Sequence, residues 1–321
     1  MSKSKHLPPA LKTMLAQPLY PARPSLLHKG STRAAGRSAN PNPSPANQKL
    51  LDAFASLQKQ AESKGLGWGE WLSIATATLV TLNSPNSLAS LHRFAAGNSG
   101  QQQQALNLDQ RLERAQLMRE VGLKCIGFIG IPKVINNLAA LRKAVDEDQE
   151  LSSSLPTTPR RKLTGEDIAP VQKAAKDMWD DIYQPHHDKL IKILGHSNPD
   201  LPVFILDGEY GPLFSPPHTF RKGAKAEDAP SWEVNRLRTS LVAIAALRAQ
   251  GGVGPQVTSH VWGLMKAEPS IAENDPHKKG LTWITSEEGA LWTVESVNAL
   301  SEVVEGDEEQ QQEGKQRESK L

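Results

Sequence analysis

Apolar positions recur at helical spacing through most of the chain. Residues 68–96 contain a dense run, Trp71-Leu72-Ser73-Ile74-Ala75-Thr76-Ala77-Thr78-Leu79-Val80, that breaks at Asn83-Ser84-Pro85-Asn86 and resumes as Ser87-Leu88-Ala89-Ser90-Leu91-His92. Ser84 as N-cap with Pro85 at the first helical position predicts two helices joined by a tight turn. Leu88, Leu91 and Ala95 then share one face of the second helix. Residues 108–121 read as a charged amphipathic helix, with Leu112, Ala115, Leu117 and Val121 among Arg111, Glu113, Arg114, Arg119 and Glu120. The β-branched content of residues 125–131 allows a strand. The Gly130-Ile131-Pro132 step favours instead a buried helix ending at a turn, with a new helix through Val134 to Leu141.

Residues 151–162 are rich in Ser, Thr and Pro and end on Arg160-Arg161-Lys162, as a linker would. Thr164-Gly165-Glu166-Asp167 predicts the start of a helix running from Ile168 to about Tyr183, ended by Pro185. Residues 201–206 are the best strand candidate, followed by a long loop over 207–230. The segment after Trp232 echoes the first half. Ser240-Leu241-Val242-Ala243-Ile244-Ala245-Ala246-Leu247 parallels residues 73–80, and Gly254-Pro255 through His260 parallels residues 84–92. The expectation is an all-α fold of two pseudo-symmetric helical units. The units span 51–150 and 166–304, joined by a linker at 151–165, with a basic arm over 1–50 and an acidic, Gln-rich flexible tail over 305–321.

Composition refines this picture at the ends. Apolar residues are 38% of the chain, below the usual globular share, which fits unpacked termini. The first 51 residues hold no Asp or Glu and many prolines, a composition too poor in apolar residues to pack. A basic, acid-free start also reads as a mitochondrial transit peptide, although five prolines by residue 24 oppose a presequence helix. The last three residues, Ser319-Lys320-Leu321, form the tripeptide that the peroxisomal import receptor reads at a free C-terminus. A peroxisomal matrix address is therefore expected, with the mitochondrion as the alternative. The 37 basic and 35 acidic residues leave a net charge of +2, which gives no field to attract nucleic acid. No apolar run is long enough for a membrane span. The one cysteine, Cys125, rules out an internal disulfide.

Residues 119–138, Arg119-Glu120-Val121-Gly122-Leu123-Lys124-Cys125-Ile126-Gly127-Phe128-Ile129-Gly130-Ile131-Pro132 and onward, resemble the helix, Gly-x-Pro turn and helix of the carboxymuconolactone decarboxylase and alkylhydroperoxidase D family, in particular its divergent fungal branch. The upstream hairpin ending in His92 resembles the same fold's other hairpin. The resemblance implies an all-α, alkylhydroperoxidase D-like bundle that forms homo-oligomers. Peroxidase members use a Cys-x-x-Cys pair followed four residues later by His. Here the cysteine positions fall on Pro85 and Leu88 before His92, or on Val253 and Gln256 before His260, so the dithiol is missing and a thiol peroxidase relay lacks its parts. What the resemblance leaves is His92, and more weakly His260, as general bases, with Glu120 as acid or orienting group. Glu70 stands a few residues from the family's acidic position, and Glu288 is the second-half counterpart of the acid. Such an enzyme would act on a small lactone or acyl compound and would need no cofactor. The alternative is a helical scaffold or regulator that keeps the fold without the chemistry.

Other candidates have plainer readings. Cys125 lies in an apolar run and is expected to be buried and inert. His186, His187, Asp188 and His196 cluster with Asp177, Asp180 and Asp181, but Pro185 breaks the helix between the two groups, so no metal site is expected. The seven tryptophans are expected in the core or between helices.

Overall fold

The structure is a computed structural model that describes residues 47–97, 106–221, 223, 225 and 229–318. Nearly all of the basic arm, and Ser319-Lys320-Leu321, lie outside the described residues. Every regular element among the described residues is helical, so the all-α expectation holds.

The first half comprises α1 (Asn47–Ser63), α2 (Trp68–Thr81), α3 (Pro85–Ala95), α4 (Leu108–Lys124), the single turn α5 (Ile126–Ile129), α6 (Ile131–Val145) and α7 (Gln149–Ser154). The second comprises α8 (Ile168–Tyr183), α9 (His187–Ser197), α10 (Asp200–Val203), a wide π-helical segment (Phe204–Phe214), α11 (Arg236–Gln250), α12 (Gly254–Met265), α13 (Lys278–Ile284) and α14 (Glu287–Glu318).

The predicted apolar runs are the two central helices. In α2 every residue from Gly69 to Thr81 is buried, and in α11 every residue from Thr239 to Leu247. Helices apolar on all faces belong in the middle of a bundle, and these two pack against each other. α1, α3 and α4 surround α2, α12 lies against α11, and α14 covers both. The hydroxyls on α2 are satisfied within the helix: Ser73 Oγ donates to Gly69 O at 2.6 Å and Thr78 Oγ1 to Ile74 O at 2.8 Å. One apolar core runs from Leu50 to Val304, so both halves share it. A smaller cluster of Met178, Trp179, Ile182, Tyr210 and Phe214 lies between α8 and the π-helical segment.

Several boundaries follow the predicted signals. α3 begins at Pro85 after Ser84, and Asn107 caps α4 reciprocally with Gln110. Gly130 has φ +81°, a conformation that favours glycine, and it ends α5 where the sequence places a turn. Thr164 and Asp167 cap the entry to α8.

The expected strand over 201–206 is instead α10 and the start of the π-helical segment, and that helix continues to Phe214 where a loop is expected. Tyr210 and Phe214, four residues apart, turn to one face and bury against α8, which is what makes this segment helical. The linker begins as helix α7, capped by Asp148. The tail expected to be flexible continues α14 as helix to Glu318, through residues that are mostly strong helix formers. No helix among the described residues is long and apolar enough to cross a membrane.

Candidate functional site

The two histidines lie on α3 and α12, and both are buried. Burial, with Arg93 beside it, pushes His92 down to about 4. Its Nδ1 is enclosed with no hydrogen-bond partner. Burial and Arg236 likewise push His260 down to about 4. His260 has a richer setting: Nε2 lies 3.2 Å from the Tyr183 hydroxyl, which lies 2.8 Å from that of Tyr210. Phe128 from α5 meets the imidazole edge-on, with ring centres 5.9 Å apart. Burial raises the titration range of Tyr183 and raises that of Tyr210 further, so the chain His260–Tyr183–Tyr210 is neutral.

Glu120, near the end of α4, is part of a different structure. Arg161 grips it with two prongs, Nη1 donating to Oε2 at 2.9 Å and Nη2 to Oε1. Lys124, one turn on, has its Nζ 4.0 Å from Oε1 and is 1% exposed. That ammonium donates to Phe214 O, and to Val234 O at 3.0 Å. Burial opposes the Glu120 charge, but Lys124 and Arg161 outweigh it and hold the carboxyl below its ordinary range. Burial pushes Lys124 down to about 7 against the pull of Glu120. Such a centre fastens α4 to the end of the π-helical segment and to the entry of α11.

Among the described residues no hydrogen bond or ion pair joins any two of His92, Glu120 and His260. None lines either of the two cavities described below. Glu288 is exposed and pairs with Lys64 at 2.9 Å, away from the His260 partners. Cys125 is buried as expected, and burial raises its thiol to about 12, beyond use as a nucleophile at neutral pH.

Of the two cavities, one of about 240 Å³ opens between Arg160, His218, Arg221 and Glu233. Glu233 is 3% exposed, accepts from Arg160 Nη2 at 3.0 Å and has His218 Nδ1 2.7 Å from its other oxygen.

The other, of about 150 Å³, lies beside a glycine-rich loop. The loop into α2 reads Gly65-Leu66-Gly67-Trp68-Gly69. Gly65, at φ +80°, brings its backbone against Gly280 of α13 so closely that a Cβ on Gly280 would overlap it. A Cβ on Gly67 would sit 3.0 Å from His277 Cδ2, 3.1 Å from Glu70 Oε2 and 3.2 Å from His277 Nε2. A Cβ on Gly69 would overlap the Arg238 guanidinium. Gly67 and Gly69 thus leave room for a carboxylate, an imidazole and a guanidinium beside one loop. Glu70 is 3% exposed; its Oε1 accepts from Arg238 Nε at 2.9 Å. Asn235, Ser270, Ile271, Asp275 and Leu281 complete the walls.

The sequence reading named Glu70 but missed Arg238 and His277, which arrive from far along the chain. The alternate glycines ahead of a buried helix were the available signal, since a glycine there marks close approach.

Among the described residues no three of His, Cys, Asp and Glu are grouped to hold a metal ion. The aspartates of α8 pair with cations instead: Asp177 with Lys173, Asp180 with Lys176 and Asp181 with Arg236. Most tryptophans pack between helices, but Trp262 is 59% exposed. No family model, no curated protein and no solved structure matches this chain.

Proposed function

We propose that this chain is a non-catalytic helical protein of the peroxisomal matrix, a scaffold or regulator with an alkylhydroperoxidase D-like body. The observation that carries the reading is the sealing of His92, His260 and Glu120. Each is buried, Glu120 and His260 among fixed partners, and none lines either cavity described above. A general base must reach the proton it abstracts, and burial closes these side chains off from solvent. Where an acid would act, Arg161 and Lys124 already saturate Glu120. The matrix address rests on Ser319-Lys320-Leu321.

Two experiments test the two parts of the proposal. The purified full-length chain, given a panel of small lactones and thioesters, is expected to turn none over. Turnover that disappears in His92→Gln or Glu120→Gln would overturn the non-catalytic reading. For the address, a reporter fused to the N-terminus should move from peroxisomes to the cytosol when Ser319-Lys320-Leu321 is deleted. Import that survives the deletion in cells lacking the intact protein would overturn it.

A further inference from the structure

The cavity beside the glycine loop has a chemistry that the scaffold reading does not use. Its one permanent cation is engaged at two of its three nitrogens. Arg238 Nε donates to Glu70 Oε1 at 2.9 Å, and Nη1 donates to Ser231 O at 2.6 Å and Glu233 O at 3.0 Å. The remaining guanidinium nitrogen lies against Gly69.

The acceptors, by contrast, are only half used. Glu70 Oε2 has no hydrogen-bond partner among the described residues, although its side chain is 4% exposed. Asp275 Oδ1 accepts from the His277 backbone N–H at 2.7 Å, which leaves Oδ2 open. Ser270 Oγ gives its proton to Ala267 O at 2.6 Å and keeps its lone pairs. Glu70 lines the cavity, and the space next to its open oxygen is where a donor belongs. Leu237, Ile271 and Leu281 give the same cavity an apolar side.

We propose that this cavity binds a small organic ammonium compound, its N–H groups directed to Glu70 Oε2 and Asp275 and its short carbon stem laid against Ile271 and Leu281. An excess of acceptors selects a donor. The two carboxylates outnumber the single guanidinium, which already pairs with Glu70, and select a cation over an anion. A cavity of about 150 Å³ admits a ligand of about six non-hydrogen atoms. His277, exposed at the rim, is placed to accept a hydroxyl or a further N–H from the ligand.

Ethanolamine is the probe, with glycolate as its anionic and ethylene glycol as its neutral counterpart, each titrated calorimetrically into the full-length protein. Saturable binding of ethanolamine alone is expected. Gly67→Ala should weaken it at least tenfold, because the added methyl crowds Glu70 Oε2 and His277 while the backbone, at φ −77°, accepts a side chain. Glu70→Gln should weaken it to a similar degree. Where that variant fails to fold, Gly67→Ala decides the question. No saturable heat with ethanolamine, equal or tighter binding of glycolate, or wild-type affinity in Gly67→Ala would each overturn the proposal.

Discussion

Glu120 and Glu70 are both buried on helices, and both take an arginine from far along the chain, yet one is locked and the other is half free. Glu120 meets Arg161 with both oxygens and has Lys124 beside it on the same helix. Glu70 meets Arg238 with one oxygen and turns the other toward a cavity. The difference lies in the neighbours. Around Glu120, Arg161 and Lys124 close over the charge. Around Glu70, Gly67 withholds the side chain that would crowd the second oxygen. A buried acid is therefore not in itself a sign of chemistry; the second oxygen decides.

The comparison is broken most forcefully at Glu120. Glu120→Ala leaves Arg161 and Lys124 buried without their anion, which should cost about 3–5 kcal/mol. Glu70→Gln should cost only about 1–2 kcal/mol, because Arg238 keeps two carbonyl partners. Urea denaturation of both variants measures the gap, and equal losses would contradict the contrast.

Acid sharpens the same comparison at the histidines. His92 and His260 titrate near 4 when folded and near 6.5 when unfolded. Between those values the unfolded chain binds more protons, so stability rises with pH there and is lost as pH falls from 6.5 toward 4. Each histidine accounts for roughly 3 kcal/mol across that window. His92→Gln and His260→Gln should each flatten the dependence, seen as a smaller drop in Tm between pH 6.5 and pH 4.

Tyr183→Phe removes the hydroxyl shared by His260 and Tyr210 and should cost about 1–2 kcal/mol in a denaturant titration. The smallest effect on stability is expected at Gly67→Ala, under about 1 kcal/mol, since the methyl meets only side-chain ends, of Glu70 and the exposed His277, that can give by a few tenths of an ångström. A loss larger than that of Tyr183→Phe would mean the loop has no space to give.

Much of the helix plan was legible because its signals are local. Pro85 after Ser84, Gly130 before Ile131-Pro132, and Thr164 with Asp167 each act within four residues, and each marks a real boundary. The segment over 201–214 was not legible. A short apolar run reads the same as strand or buried helix, and only packing of Tyr210 and Phe214 on α8 selects the helix. The site was less legible still. Arg161 lies 41 residues from Glu120, and Arg238 lies 168 from Glu70. No periodicity in the sequence records such pairings.

Lys124 carries a consequence for the order in which the chain folds. Its ammonium bonds carbonyls 90 and 110 residues downstream. Closing loops of that length costs chain entropy that local helices do not incur, and long-range contacts are slow to find. Until Phe214 and Val234 arrive, Lys124 stays solvated and charged, and α4 cannot bury its last turn. The lysine is thus a late checkpoint, satisfied only when the second half has docked on the first. Substituting it should leave the folding rate nearly unchanged and speed unfolding, the signature of a contact made after the barrier.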